Sequence, residues 1–278
     1  MGALVPQSIT VTVERKQWLT PHLVRVVGTV AADLFIPNEF TDAYVKLIFP
    51  VPGVVYPEPF DLDTVRATMD SASQPVLRTY TVRSFDPERR EIMIDFVVHG
   101  DEGIAGPWAR SVEPGDEFRM SGPGGAFAPD PAADWFLLAG DESALPAIAA
   151  ALEALPAGAP AVVVVEVGGE ADEIALDSPA DLRLRWVHRG VPSDRIPDDL
   201  AGAHSPLVAA VRAAEWLPGQ VQAFVHGEAD AVMRHLRPYL RKERAVAPKW
   251  LSVSGYWRRG RSEEGFREWK RELAAERP

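Results

Sequence analysis

Cysteine is absent from the 278 residues of this chain. Without thiols there is no disulfide framework, no thiolate zinc or iron–sulfur site and no cysteine nucleophile, so any redox chemistry has to come from a bound cofactor. The six histidines, at 22, 99, 188, 204, 226 and 235, show neither H-x-H, H-E-x-x-H nor facial-triad spacing, and no metal site is expected. Also missing are the G-x-S-x-G elbow, the G-x-x-x-x-G-K-[ST] loop and G-x-G-x-x-G. Their absence removes the serine-hydrolase and P-loop readings and the usual dinucleotide fingerprint. No long hydrophobic run occurs: the most apolar stretch, around AIAAALEALPAGAPAVVVVEV, is broken by Glu153, Pro156 and Gly158, so no membrane insertion is expected. The N-terminus lacks the basic start and apolar run of a signal peptide, and a cytoplasmic location is the expectation. Positive charge is scarce, with 29 Lys/Arg against 40 Asp/Glu and a net charge of −11, which argues against nucleic acid as a partner. The scarcity is uneven, because residues 234–277 hold 13 Lys/Arg against 6 Asp/Glu. Such a segment either concentrates an anionic ligand or is the solvated face of a helix over 262–276.

What remains is an ordinary globular composition, 46% hydrophobic, with length for about two domains. The first half reads as six short strands with no helical pattern between them: Ile9 to Arg15, His22 to Val30, Tyr44 to Phe49, Val76 to Ser84, Glu91 to Val98 and Asp116 to Gly122. They fit a small antiparallel barrel. The segment from Pro50 to Pro75, with five prolines and no clear periodicity, is expected to be a long surface loop. After a Gly/Pro-rich stretch over 122–134 strands alternate with helices, which implies a doubly wound parallel sheet. The expected domains are 1–128 and 129–278.

Two blocks carry candidate chemistry. In VLRTYTVRS, strand alternation puts Arg78, Tyr80 and Val82 on one face and Thr79, Thr81 and Arg83 on the other. An adjacent cation and aromatic ring suit a ligand with both a phosphate and a flat ring, or else a merely solvated edge strand. Downstream, DFVVHGDEGIAGPWARSVEPGD runs from a strand through Gly100, Gly103 and Gly106 into a short helix near Pro107. A glycine-relieved turn ahead of a helix offers amides to a pyrophosphate. One block serves a ring and the other a pyrophosphate, which suggests FAD rather than FMN.

Taken in order, R-T-Y-T-V-R, D-F-V-V-H-G-D-E-G-I-A-G-P-W-A, L-L-A-G-D-E-S-A-L-P-A-I and S-G-Y-W-R-R-G resemble the siderophore-interacting proteins, FAD-containing ferric-siderophore reductases of the ferredoxin-reductase superfamily. The resemblance spans nearly the whole chain. It implies an FAD-binding barrel followed by a nicotinamide-binding α/β domain, with Tyr80 against the isoalloxazine, Thr81 near its N5, and Arg78 and Arg83 in the same motif. It further implies FAD phosphate and adenosine contacts from Asp95, Val97, His99, Gly103, Ala105, Gly106, Trp108 and Ala109. Many relatives read G-P-A-S where this chain has G-I-A-G, so backbone donors must replace a serine hydroxyl. NADH or NADPH is implied as donor, at Gly140, Asp141, Glu142, Gly227 and Glu228, with Arg189 and Arg195 as conceivable phosphate partners. The acidic turn at Asp141 and Glu142 repels phosphate or simply caps a helix, and a reduced ferredoxin stays open as the donor. Lys46, Lys249, Arg258 and Arg259 are the candidates to grip a ferric siderophore, the implied substrate. Two other readings remain open: a general NAD(P)H–flavin reductase serving a protein acceptor, and a siderophore-binding module without catalysis.

Overall fold

The computed structural model describes residues 8–31, 34–101, 103–261, 265, 266 and 269. Six strands close a barrel: β1 (Ile9–Thr20), β2 (Leu23–Val30), β3 (Tyr44–Phe49), β4 (Val76–Asp86), β5 (Glu91–Val97) and β6 (Glu117–Gly124), in the order β1-β2-β5-β4-β3-β6. Alternation drives the closure. Along β1, Ile9, Val11 and Val13 point into the core while Thr10 and Thr12 face outward, and all pairings are antiparallel. Gly28 allows β1 and β2 to approach closely, since a Cβ there would lie 2.7 Å from the Thr12 carbonyl oxygen.

The stretch from Pro50 to Pro75 departs from the expected loop, for it contains α1 (Leu62–Thr68). Asp61 caps this helix by accepting from the Thr64 N–H at 2.8 Å, and Leu62 and Val65 bury its inner face. Seven residues among five prolines show too little periodicity to betray a helix. A second short helix, α2 (Ala105–Ser111), packs on β5 through Ala105 and Ala109.

Beyond residue 134 the chain forms a parallel sheet of β7 (Trp135–Asp141), β8 (Pro160–Val167), β9 (Asp181–His188), β10 (Val221–Glu228) and β11 (Leu251–Trp257), in the order β11-β10-β7-β8-β9. β7 and β8 are buried almost throughout, as their unbroken apolar runs require. α3 (Leu145–Glu153) covers one face of the sheet and α4 (Pro206–Arg212) the other. The helix expected after β10 spans 229–243, largely in wide π turns on either side of Pro238, which lacks the N–H for a regular ladder. The helix expected over 262–276 lies outside the described residues except at 265, 266 and 269. Among the described residues no helix is long and apolar enough to cross a membrane.

Candidate functional site

β4 pairs with β5 only from Val82 to Asp86, whereas its pairing with β3 runs from Val76 to Thr81. Ahead of Val82 the two strands part, and the edge of β4 that faces β5 is open. The Val82 N–H donates to the Ala43 carbonyl at 2.7 Å, so alternation turns the backbone groups of Thr79 and Thr81 toward that open edge. A cavity of about 570 Å³ lies there, in the size range of small-molecule and cofactor sites. Its barrel wall is Leu77 to Thr81 with Asp95, Val97 and His99, and its opposite wall is Glu142, Ser143, Pro146 and Ser254 to Trp257 of the α/β domain.

The structure brings Arg78, Tyr80, Thr81, Asp95, Val97 and His99 together here, as well as Lys46 and Glu142. Thr79, expected on the opposite face, also lines the cavity, because the ligand surface is a strand edge rather than a strand face. The Tyr80 ring is tilted against Phe96, with centroids 4.4 Å apart. Asp95 is held by both oxygens on Arg25, at 2.7 and 2.8 Å, so its charge is paired within the wall. The Nδ1 of His99 is buried with no hydrogen-bond partner among the described residues. An open strand edge, an aromatic ring, an arginine and an orphaned imidazole nitrogen in one cavity fit the ring and polar groups of FAD.

Several expected contacts lie elsewhere. Arg83 reaches Glu153 of α3 and ties the domains together, because the bulge at Val82 to Ser84 turns it away from the cavity. Ala105 and Ala109 are core residues, and Trp108 sits in an aromatic cluster with Phe49, Phe96 and Phe118. Gly103 takes a positive φ of 86°, whereas a Cβ on Gly106 would make only ordinary contact, 3.4 Å from the Val97 carbonyl oxygen. Residues 103–109 seat α2 beside the cavity instead of lining it.

At the C-terminal ends of β7 and β10, Asp141 is 2% exposed. It accepts from the Ser143 N–H at 3.0 Å, the Ser143 hydroxyl, the Glu228 N–H at 2.7 Å and the Trp257 Nε1 at 2.8 Å. Burial and the neighbouring Glu142 push its carboxyl up to about 7, against the pull of Ser143 and Trp257. Gly140 and Gly227 are close-packing positions around it: a Cβ on Gly140 would meet the His226 carbonyl oxygen at 2.5 Å. Arg189 is buried and bound to both oxygens of Glu142, with Glu166 at 3.4 Å, so it is committed within the protein.

Of the residues expected to grip substrate, Lys46 is at the cavity on the exposed face of β3 beside Tyr44. Lys249 is not: it precedes β11, at the far end of the sheet, and lies over the Trp250 ring. Arg258 is paired to Glu228 at 2.8 Å and Arg259 to Asp198 and the Ile196 carbonyl, neither at the cavity. Besides Lys46 and Arg78, two cations not named from the sequence line it, Arg66 of α1 and Arg261. Tyr256 and Trp257, part of the S-G-Y-W-R-R-G block but without an assigned role there, line it as well. Tyr256 is the extra residue of a bulge, since Gly227 pairs with Gly255 and Glu228 with Trp257. Its phenol, pushed up by burial, lies against the Thr81 hydroxyl across the domain boundary.

Comparison with known proteins follows the same division. Residues 12–127 match the family model for a siderophore-interacting FAD-binding domain, and residues 133–260 that for a siderophore-interacting protein. An uncharacterized protein of Mycobacterium tuberculosis is 55% identical over 261 residues, 92% of each chain. The ferric vibriobactin reductase ViuB of Vibrio cholerae is 33% identical over 264 residues, covering 91% of this chain and 90% of its own. The crystal structure of the siderophore-interacting protein SipS from Aeromonas hydrophila superposes with a TM-score of 0.78 at 30% identity, over 98% of this chain and 100% of SipS. A ferredoxin reductase of carbazole 1,9a-dioxygenase shares the fold alone, with a TM-score of 0.64 at 17% identity over 92% and 71% of the two chains. An FAD-binding barrel joined to a parallel sheet, matched by family models along both halves, shows that this chain belongs to the siderophore-interacting protein family.

Proposed function

We propose that this protein is a flavin-dependent reductase that passes electrons to a ferric siderophore and releases the iron as Fe(II). The observation that carries the reading is one cavity in which the open β4 edge, with Tyr80 and Thr81, meets the cations Lys46, Arg66, Arg78 and Arg261. Bound at that edge, FAD supplies the exchange between a two-electron donor and one-electron acceptors. Tyr80 would hold the ring, the backbone of Thr79 and Thr81 would meet its polar edge and Arg78 would take phosphate, with Asp95, Val97 and His99 completing the same barrel wall. Lys46, Arg66 and Arg261 draw in an anionic ferric chelate. Each Fe(III) takes one electron, so two chelates are reduced for each two-electron donor. The reaction requires neither a protein ligand to iron nor a general base. Electrons come from NAD(P)H or from a reduced ferredoxin, and the choice turns on the crevice around Asp141. The similarity to ViuB, a ferric vibriobactin reductase, supports the same reading.

The test is visible absorption of the purified protein reconstituted with FAD, reduced anaerobically with stoichiometric dithionite and then mixed with a ferric siderophore. Flavin bands that bleach and then return, with Fe(II) trapped by a chromogenic chelator, are the expected result. Bands that return only with a protein acceptor would point to a general flavin reductase. A protein that takes up no flavin yet binds the siderophore would leave only the binding module.

A further inference from the structure

In an open parallel sheet the ligand crevice lies where the strand order reverses, at the C-terminal ends of the strands. Here that point is between β7 and β10, where the chain turns at Gly140–Ser143 and at Gly227–Ala229. Amides at such turns are what hold a dinucleotide's pyrophosphate. We infer that Asp141 is a built-in anion filling this phosphate cradle, so that a nicotinamide dinucleotide does not seat its pyrophosphate there. The inference rests on the flavin-reductase reading and specifies how its electron donor is selected.

Three independent observations support it. First, the donors are taken: the Ser143 and Glu228 amides, the Ser143 hydroxyl and the Trp257 indole all point at the Asp141 carboxylate, two to each oxygen. Four converging donors are the complement of an oxyanion, and one is already present. Second, the space is taken. At Gly227, whose φ is +145°, a Cβ would come within 2.7 Å of the Asp141 Oδ2, and Asp141 itself is 2% exposed. Third, the charge is unfavourable. Arg189 is bound by Glu142 and Glu166, and Arg258 by Glu228 at 2.8 Å and Asp230 at 3.8 Å, so neither cation is left over for a phosphate. A pyrophosphate entering here would have to expel a buried carboxylate and leave it without its donors.

The experiment separates this inference from the reading beneath it. Flavin uptake is read from visible absorption, with no nicotinamide present, and a protein that takes up no FAD overturns the reductase reading. The cradle is then probed by calorimetric titration of the FAD-saturated protein with NAD⁺ at pH 8, and the same titration is run on the flavin-free chain if no FAD binds. No saturable heat below millimolar NAD⁺ is the expected result, whereas micromolar binding would overturn the inference. In anaerobic stopped flow, NADH, NADPH and reduced nicotinamide mononucleotide, which lacks the second phosphate and the adenosine, should reduce the flavin with linear concentration dependence and within about threefold of one another. Saturation by either dinucleotide at a rate ten or more times that of the mononucleotide shows a held pyrophosphate and overturns it. Asp141→Ser frees the two amides and should bind NAD⁺ at least tenfold more tightly than the parent. A folded Asp141→Ser protein with unchanged affinity shows that Asp141 is not the excluding group, and if that variant does not fold, the parent titration and stopped flow decide.

Discussion

Asp141 carries an energetic cost that pH should reveal. Its carboxyl is pushed up to about 7 by burial and by Glu142, whereas in the unfolded chain it titrates near the ordinary value of about 4. Between those values the native state binds more protons than the unfolded state, so this residue's contribution to stability falls as pH rises through the window and levels off above about 7. Other carboxylates contribute their own slopes, and these cancel when the protein is compared with a variant at the same pH. Asp141→Asn cannot titrate. The unfolding free energy of the parent, relative to that of Asp141→Asn, should therefore drop by about 2 kcal/mol between pH 5.5 and pH 8, given about 1.4 kcal/mol per unit. Urea unfolding at the two pH values measures it, and an equal difference at both would show that Asp141 titrates normally.

At the scale of elements, β4 shows why a strand's edge has to be considered along with its faces. Tyr80 presents a ring to the cavity, whereas Thr79 faces it with an exposed side chain and a backbone that alanine retains. Tyr80→Ala should weaken FAD binding by about fivefold, in line with the roughly 1 kcal/mol of an aromatic contact beyond its area. Thr79→Ala should change it by less than twofold, as measured by the quenching of flavin fluorescence. Equal losses would remove the ring from the binding account. Period-2 alternation made the barrel strands legible in the sequence, and the switch to alternating strands and helices made the parallel sheet legible. The R-T-Y-T block pointed to the cavity wall for the same reason, since residue type and strand order lie in the local sequence. The parting of β4 from β5 does not, because it depends on where two distant segments stop pairing. Nor was α1 visible: seven residues give barely two turns, so Arg66, which that helix carries to the cavity, had no signal beyond the Asp61–Thr64 cap. Arg258 and Arg259 were substrate candidates from the family resemblance and their basic character, but Glu228 and Asp198, remote in sequence, pair with them in the fold.

Across the whole molecule, the cavity exists because two cores meet, one inside the barrel and one between the sheet and α3. Leu23 of β2 is 2% exposed and belongs to the second core, so the barrel is anchored in the α/β domain by apolar burial. Polar ties add orientation. His22 lies 2.8 Å from Asp172, and Arg83 of β4 bonds Glu153 of α3. The Arg83 pair leads directly from the R-T-Y-T strand to the helix that follows the Asp141 turn, so it fixes one cavity wall against the other. With the Arg83 side chain 15% exposed and that of Glu153 44%, solvent screens part of the attraction. A double-mutant cycle of Arg83→Ala and Glu153→Ala in urea unfolding should give a coupling of about 0.5–1 kcal/mol. Because neither side chain lines the cavity, each single variant should still take up FAD, while its affinity falls as the walls lose register. A coupling of zero with unchanged FAD affinity would mean that apolar burial around Leu23 alone sets how the two domains meet.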